Sequence, residues 1–102
     1  MAETRRQTRH EVSIPAKLTV DGTQTDCVML NLSLGGTQVQ VNAKYAMGQR
    51  VRISFHVPTM EDAIEVGGTV RWSTVDEVGV QFDGLRARDV WALNEYFKQL
   101  PS

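Results

Sequence analysis

The sequence predicts a mainly β fold: a six-stranded antiparallel β-barrel followed by a C-terminal α-helix. Three observations lead there. Apolar and polar residues alternate with period two through six short runs, the pattern of half-buried strands. Turn residues separate the runs, and no segment of helical period lies between them, which favours an antiparallel barrel over a layered parallel sheet. Only the last part of the chain changes period.

In order, Val12, Ile14, Ala16, Leu18 and Val20 alternate up to the Asp21-Gly22 turn. Val28, Leu30, Leu32 and Leu34 then share one parity, which predicts that they face the core, with Cys27, Asn31 and Ser33 on the opposite, solvent-facing side. Asn31 and Ser33 would stand about 6.5–7 Å apart on that outer wall. After Gly35-Gly36 the pattern resumes with Val39 and Val41. Val51, Ile53, Phe55 and Val57 form the next run, ended by Pro58. Ile64, Val66, Gly68, Val70 and Trp72 keep one parity, with a bulge or bend expected at Gly67-Gly68. Val78, Val80 and Phe82 make the sixth strand. From Arg86 onward, Val90, Leu93, Phe97 and Leu100 form the stripe of an amphipathic helix, with Asp83 as the expected N-cap and Pro101 past the end. The expected organisation is one domain: an arginine-bearing segment over 1–11, a barrel over 12–83 and a helix over 85–100.

Composition narrows the function. The chain has 102 residues and 41% hydrophobic content, the profile of one ordinary globular domain. No apolar run approaches the roughly 20 residues needed to cross a bilayer, and Met1 to Arg6 lack the apolar stretch of a signal peptide, so the expectation is a cytoplasmic protein without membrane insertion. The single Cys27 fits a reducing compartment. A net charge of −1 argues against a general DNA or RNA binder. The charge is uneven: residues 1–10 carry +2 and the remainder −3, a concentration that suits a small, compact anion.

Two polar groups stand out. Arg5, Arg6 and Arg9 crowd the N-terminus, and Asn31-Leu32-Ser33-Leu34-Gly35-Gly36 closes the second strand run. Together they read as a site for a guanine nucleotide carrying phosphates, because a guanidinium fork fits guanine's O6/N7 edge and phosphate oxygens alike. Asn31 can accept from guanine N1–H, Ser33 can donate or accept, and Gly36 permits close backbone approach. Each half also has a plainer reading, as a solvated basic tail and as a turn.

The order and spacing of these elements resemble the PilZ domain family, bacterial receptors for the second messenger cyclic di-GMP. Arg5-Arg6-Gln7-Thr8-Arg9 is similar to the family's Arg-x-x-x-Arg element, and Asn31, Ser33 and Gly36 fall on the marked positions of its Asp/Asn-x-Ser-x-x-Gly element. Val70-Arg71-Trp72 and Val78-Gly79-Val80-Gln81-Phe82 look like its late strands. The resemblance implies a non-catalytic receptor in which Arg5 or Arg6, with Arg9, grips guanine and phosphates while Asn31, Ser33 and Gly36 hold the base. It also implies signalling to an effector protein in motility, attachment or exopolysaccharide control.

His10 and His56 read as surface residues, Glu61-Asp62 and Asp76-Glu77 as solvated turns, and none of them shows metal-site or acid/base spacing. Trp72 has core parity yet ends its strand, where it could reach a stacked base; Trp91 and Tyr96 flank the helix stripe, where packing on the barrel is the simpler account and a partner or homodimer surface the alternative. Two other functions compete: a PilZ-fold adaptor that binds no nucleotide, and a small-barrel binder of single-stranded nucleic acid. The second wants exposed aromatics along a basic groove, whereas aromatics are 7% of this chain.

Overall fold

The computed structural model describes residues 8–100. Six strands, β1 (His10–Val20), β2 (Thr23–Leu32), β3 (Gly36–Gln40), β4 (Arg50–Phe55), β5 (Ile64–Ser73) and β6 (Glu77–Phe82), precede one helix, α1 (Ala87–Gln99). The strands close into a barrel in the order β1-β2-β3-β6-β5-β4, and every neighbouring pair is antiparallel. Closure leaves no free sheet edge. Among the described residues no helix is long and apolar enough to cross a membrane.

Local chemistry accounts for most elements. Asp21 (φ 51°) and Gly22 (φ 81°) both take left-handed backbone, the geometry of the two-residue hairpin loop that joins β1 to β2. Ile14, Ala16 and Leu18 point inward from β1; Val51, Ile53 and Phe55 do so from β4 and Ile64, Val66 and Val70 from β5. Leu18, Ile53 and Val70 are wholly buried, and each such side chain contributes about 1.5–3 kcal/mol relative to exposure. The helix buries Ala92 and Leu93, and its Ala92 carbonyl accepts a hydrogen bond from the Thr59 hydroxyl at 2.6 Å, which ties it to the β4–β5 connection.

Several expected details differ, and two of them share a cause. In β2 the register against β3 steps between Met29 and Asn31, so Leu30 is an extra residue. A single extra residue inverts strand parity. Cys27 and Met29 are therefore the buried residues ahead of the step, Val28 and Leu30 are half-buried, and only Leu32 keeps its expected core position. Burial, helped by the charge of Asp26, pushes the Cys27 thiol up to about 11. The second step lies between Val70 and Trp72 in β5 rather than at Gly67-Gly68, which pair regularly with Arg52 and Val51. Arg71 is the extra residue there, and Trp72 emerges on the outer face at 37% exposure.

The chain enters β1 at His10, inside the expected 1–11 segment, and His10 is half-buried with its ring stacked on Phe97 at a centroid distance of 4.0 Å. His56 is exposed as expected. Asp83 does not cap the helix: Arg86 is the N-cap residue, without a side-chain cap, and Asp83 pairs instead with Arg50.

Candidate functional site

The outer wall formed by β3, β6 and β5 carries a groove of about 610 Å³. Its lining includes Arg9, Ser33, Gly36, Arg71, Trp72 and Gln81. Two hydrogen bonds to neutral amide oxygens hold its guanidinium groups. Arg9 Nη1 donates to Asn31 Oδ1 at 2.8 Å, and Arg71 Nη1 donates to Gln81 Oε1 at 2.8 Å. Among the described residues neither arginine has a carboxylate partner. An amide oxygen orients a guanidinium without neutralising it, so both keep charge and free N–H groups for an anion.

Glycines shape the floor. A Cβ on Gly36 would lie 2.3 Å from the Val80 carbonyl oxygen, so β3 can run against β6 only with glycine there. A Cβ on Gly79 would lie 2.2 Å from Trp72 Nε1: the indole rests on the bare backbone of β6. The bulge at Arg71 sets this up, because it turns Trp72 outward opposite Gly79 and leaves Arg71 beside it.

Ser33 is 4% exposed and does not stand on the outer wall beside Asn31, as strict alternation predicts. The chain leaves β2 after Leu32 and turns, and the Ser33 hydroxyl is drawn into the turn. Its Oγ accepts from the Gly35 and Gly36 backbone N–H groups at 3.1 and 3.2 Å, while the Ser33 N–H donates to the Gly36 carbonyl at 2.9 Å. Ser33 thus fixes the loop that brings Gly36 to the floor. Asn31, half-buried, does face outward, as expected, because the Leu30 bulge precedes it.

Of the residues expected to bind, Arg9, Ser33 and Gly36 meet at the groove, and Asn31 touches it through Arg9. Arg5 and Arg6 lie outside the described residues. Arg71 and Gln81 were not expected, and Trp72 was left between core and ligand. The sequence's bulge signal in this strand, Gly67-Gly68, lies away from the actual step, and Arg71 carries no such mark, so nothing at that position showed that Arg71 and Trp72 turn to this face.

Beside the groove, the Asn31 Nδ2 donates to Gln38 Oε1 at 2.7 Å, and Gln38 Nε2 donates to Glu77 Oε1. The Thr37 hydroxyl, buried, donates to the Asn31 carbonyl at 2.6 Å. A second groove is lined by Arg50, Arg52, Arg86 and Arg88, and there each arginine meets a carboxylate. Asp83 borders both grooves. Its carboxyl is held below the usual carboxylate range by the Arg50 hydrogen bond.

Comparison with known proteins agrees with this architecture. No curated protein matches the chain. Among solved structures, the Bacillus subtilis inhibitor of motility MotI/DgrA is similar at a TM-score of 0.78 and 16% identity, over 98% of this chain and 55% of that one. PlzA of Borreliella burgdorferi, solved in complex with c-di-GMP, is similar at 0.74 and 20% identity, over 92% of this chain and 41% of that one. The PilZ domain of CeSA from a cellulose-synthesizing bacterium is similar at 0.71 and 17% identity, over 89% and 96%. The chain therefore spans about half the length of MotI and about two fifths of PlzA. Residues 3–99 match the PilZ domain, and the chain belongs to that family.

Proposed function

We propose that the groove is a receptor site for cyclic di-GMP and that its occupancy is passed to an effector protein by contact. One observation carries the reading: Arg9 and Arg71, both without carboxylate partners among the described residues, share a groove with an outward-turned indole. A dinucleotide with two guanines and two phosphates uses all three. The guanidinium groups meet guanine edges and phosphates, and Trp72 offers a face for stacking. In this reading Arg5 or Arg6 joins Arg9, Asn31 orients it, and Ser33 and Gly36 build the floor. The complex of the similar PlzA with c-di-GMP supports the ligand. A similar protein named as an inhibitor of motility supports output through a partner. The messenger acts in the cytoplasm, and the role is binding rather than catalysis.

Calorimetric titration with cyclic di-GMP, beside GMP and a short oligonucleotide, tests the proposal. The expected result is saturable heat with the cyclic dinucleotide alone, which also counts ligands per chain. Silence with that ligand and clear binding of the oligonucleotide would replace the reading with single-strand binding.

A further inference from the structure

We propose that Glu77 and Gln38 are positioning residues that set the polarity of the Asn31 side chain, and through it the placement of Arg9. The inference rests on the function proposed above for its effect on ligand, but its geometry stands apart from it. Four side chains, one from the residue just ahead of β1 and three from the adjacent strands β2, β3 and β6, form one chain of hydrogen bonds across the outer wall: Arg9 to Asn31, Asn31 to Gln38, Gln38 to Glu77. Asn31 and Gln38 are direct cross-strand partners, whereas Glu77 lies diagonal to Gln38, beside Gln40. Gln38 itself stands opposite Gly79, whose bare backbone carries the Trp72 indole, so the chain runs along the groove's edge.

The two ends decide the direction. A guanidinium only donates and an ionised carboxylate only accepts, while each amide between them has one donating and one accepting end. A single arrangement satisfies every link: Asn31 Oδ1 toward Arg9 and Nδ2 toward Gln38, then Gln38 Oε1 toward Asn31 and Nε2 toward Glu77. Turning either amide sets N–H against N–H or oxygen against oxygen. Glu77, three strands from β1 along the barrel wall, therefore keeps an acceptor pointed at Arg9.

Changing the last link predicts a graded effect. A Gln at position 77 can still present an oxygen, so Glu77→Gln binds cyclic di-GMP within about twofold of the unaltered protein. Glu77→Ala leaves both amides free to turn and weakens binding about threefold to tenfold, the worth of one hydrogen bond. Glu77→Lys reverses the polarity, sets Asn31 Nδ2 against Arg9, and costs about tenfold or more. Adding Gln38→Glu to Glu77→Lys gives a central group that accepts from both neighbours, which restores binding. Calorimetry measures affinity, and a melting curve on each variant separates lost polarity from lost fold. Side-chain amide NMR of Asn31 in the ligand-free protein reads polarity directly: its NH₂ signals move in Glu77→Lys and return in the double variant. If Glu77→Lys fails to fold, the Gln-against-Ala ordering and the same NMR signals decide. Unmoved Asn31 signals in every variant, or a folded double variant as weak as Glu77→Lys, would overturn the proposal. Absence of cyclic di-GMP binding in the unaltered protein would instead overturn the proposed function, leaving the NMR comparison to judge this inference.

Discussion

Two arginine-bearing grooves sit on the same barrel, and their arginines are partnered in opposite ways. In one, Arg50 binds Asp83, Arg52 faces Glu65 at 3.8 Å, Arg86 bonds the buried Asp89 at 3.1 Å and Arg88 reaches Asp62 at 3.6 Å. In the other, Arg9 and Arg71 bond neutral amide oxygens of Asn31 and Gln81. An anion entering the first groove must compete with carboxylates already in place. One entering the second finds oriented cations whose acceptors, among the described residues, are uncharged. Number of arginines is therefore a poor guide to an anion site, and the partner of each arginine is a better one.

The largest expected effect destroys the second groove. Gly36→Ala drives a Cβ onto the Val80 carbonyl and forces β3 off β6, and it should cost about 3 kcal/mol or more of stability in a urea titration. A fully stable Gly36→Ala barrel that keeps its affinity would remove the floor from the argument. Next, Arg9→Ala and Arg71→Ala should each weaken cyclic di-GMP binding about tenfold or more, with unchanged melting temperature. The same substitution at Arg52, in the carboxylate-partnered groove, should leave affinity unaltered. Equal losses at Arg52 and Arg71 would erase the distinction between the grooves.

Arg50 lies between these cases. It neutralises Asp83, which borders both grooves, so Arg50→Ala should expose a negative charge to the ligand and weaken binding about twofold to threefold at low salt, less at high salt. A loss independent of salt would point away from charge. Acid makes the smallest contrast. Asp83 has a folded pKa below its unfolded value, so the stability from its pairing is complete above the ordinary carboxylate range and disappears as pH falls through the folded pKa. The Arg71–Gln81 link has no titrating acceptor. Lowering pH through that interval should shift the Arg50 guanidinium NMR signals and leave those of Arg71 in place.

The barrel and helix were legible because their causes are local or repeat along the chain. Alternation in β1, β4 and β5 up to Val70 marks a face, and the stripe through Leu93 and Phe97 marks a helix. Parity failed at Leu30 and Arg71, where one extra residue inverts it. The run Val28, Leu30, Leu32, Leu34 is self-consistent as an inward face, so the sequence carried no warning that Cys27 and Met29 are the buried pair. Asp83 resembled a cap because of its neighbours, yet its partner is Arg50, 33 residues away. Of the motif residues, Ser33 was expected on the outer wall and instead faces into its turn, while the close backbone approach expected at Gly36 is made by β6. Trp91, at 60% exposure, does not pack on the barrel as the simpler reading of the helix has it, while Tyr96 is half-buried near Phe97.

By itself the sequence determined the strands, the helix and the Asp21-Gly22 hairpin, and it singled out Arg9, Asn31, Ser33 and Gly36 as candidates, since periodicity, turn chemistry and motif spacing act over a few residues. Only the tertiary structure decided which side chains share the groove. Barrel closure sets β3 against β6 and β6 against β5, and a bulge rotates Arg71 and Trp72 onto that wall. The physical reason is that partnering of charge depends on distance across strands, and 33 or 39 residues of chain separate Arg50 from Asp83 and Gln38 from Glu77.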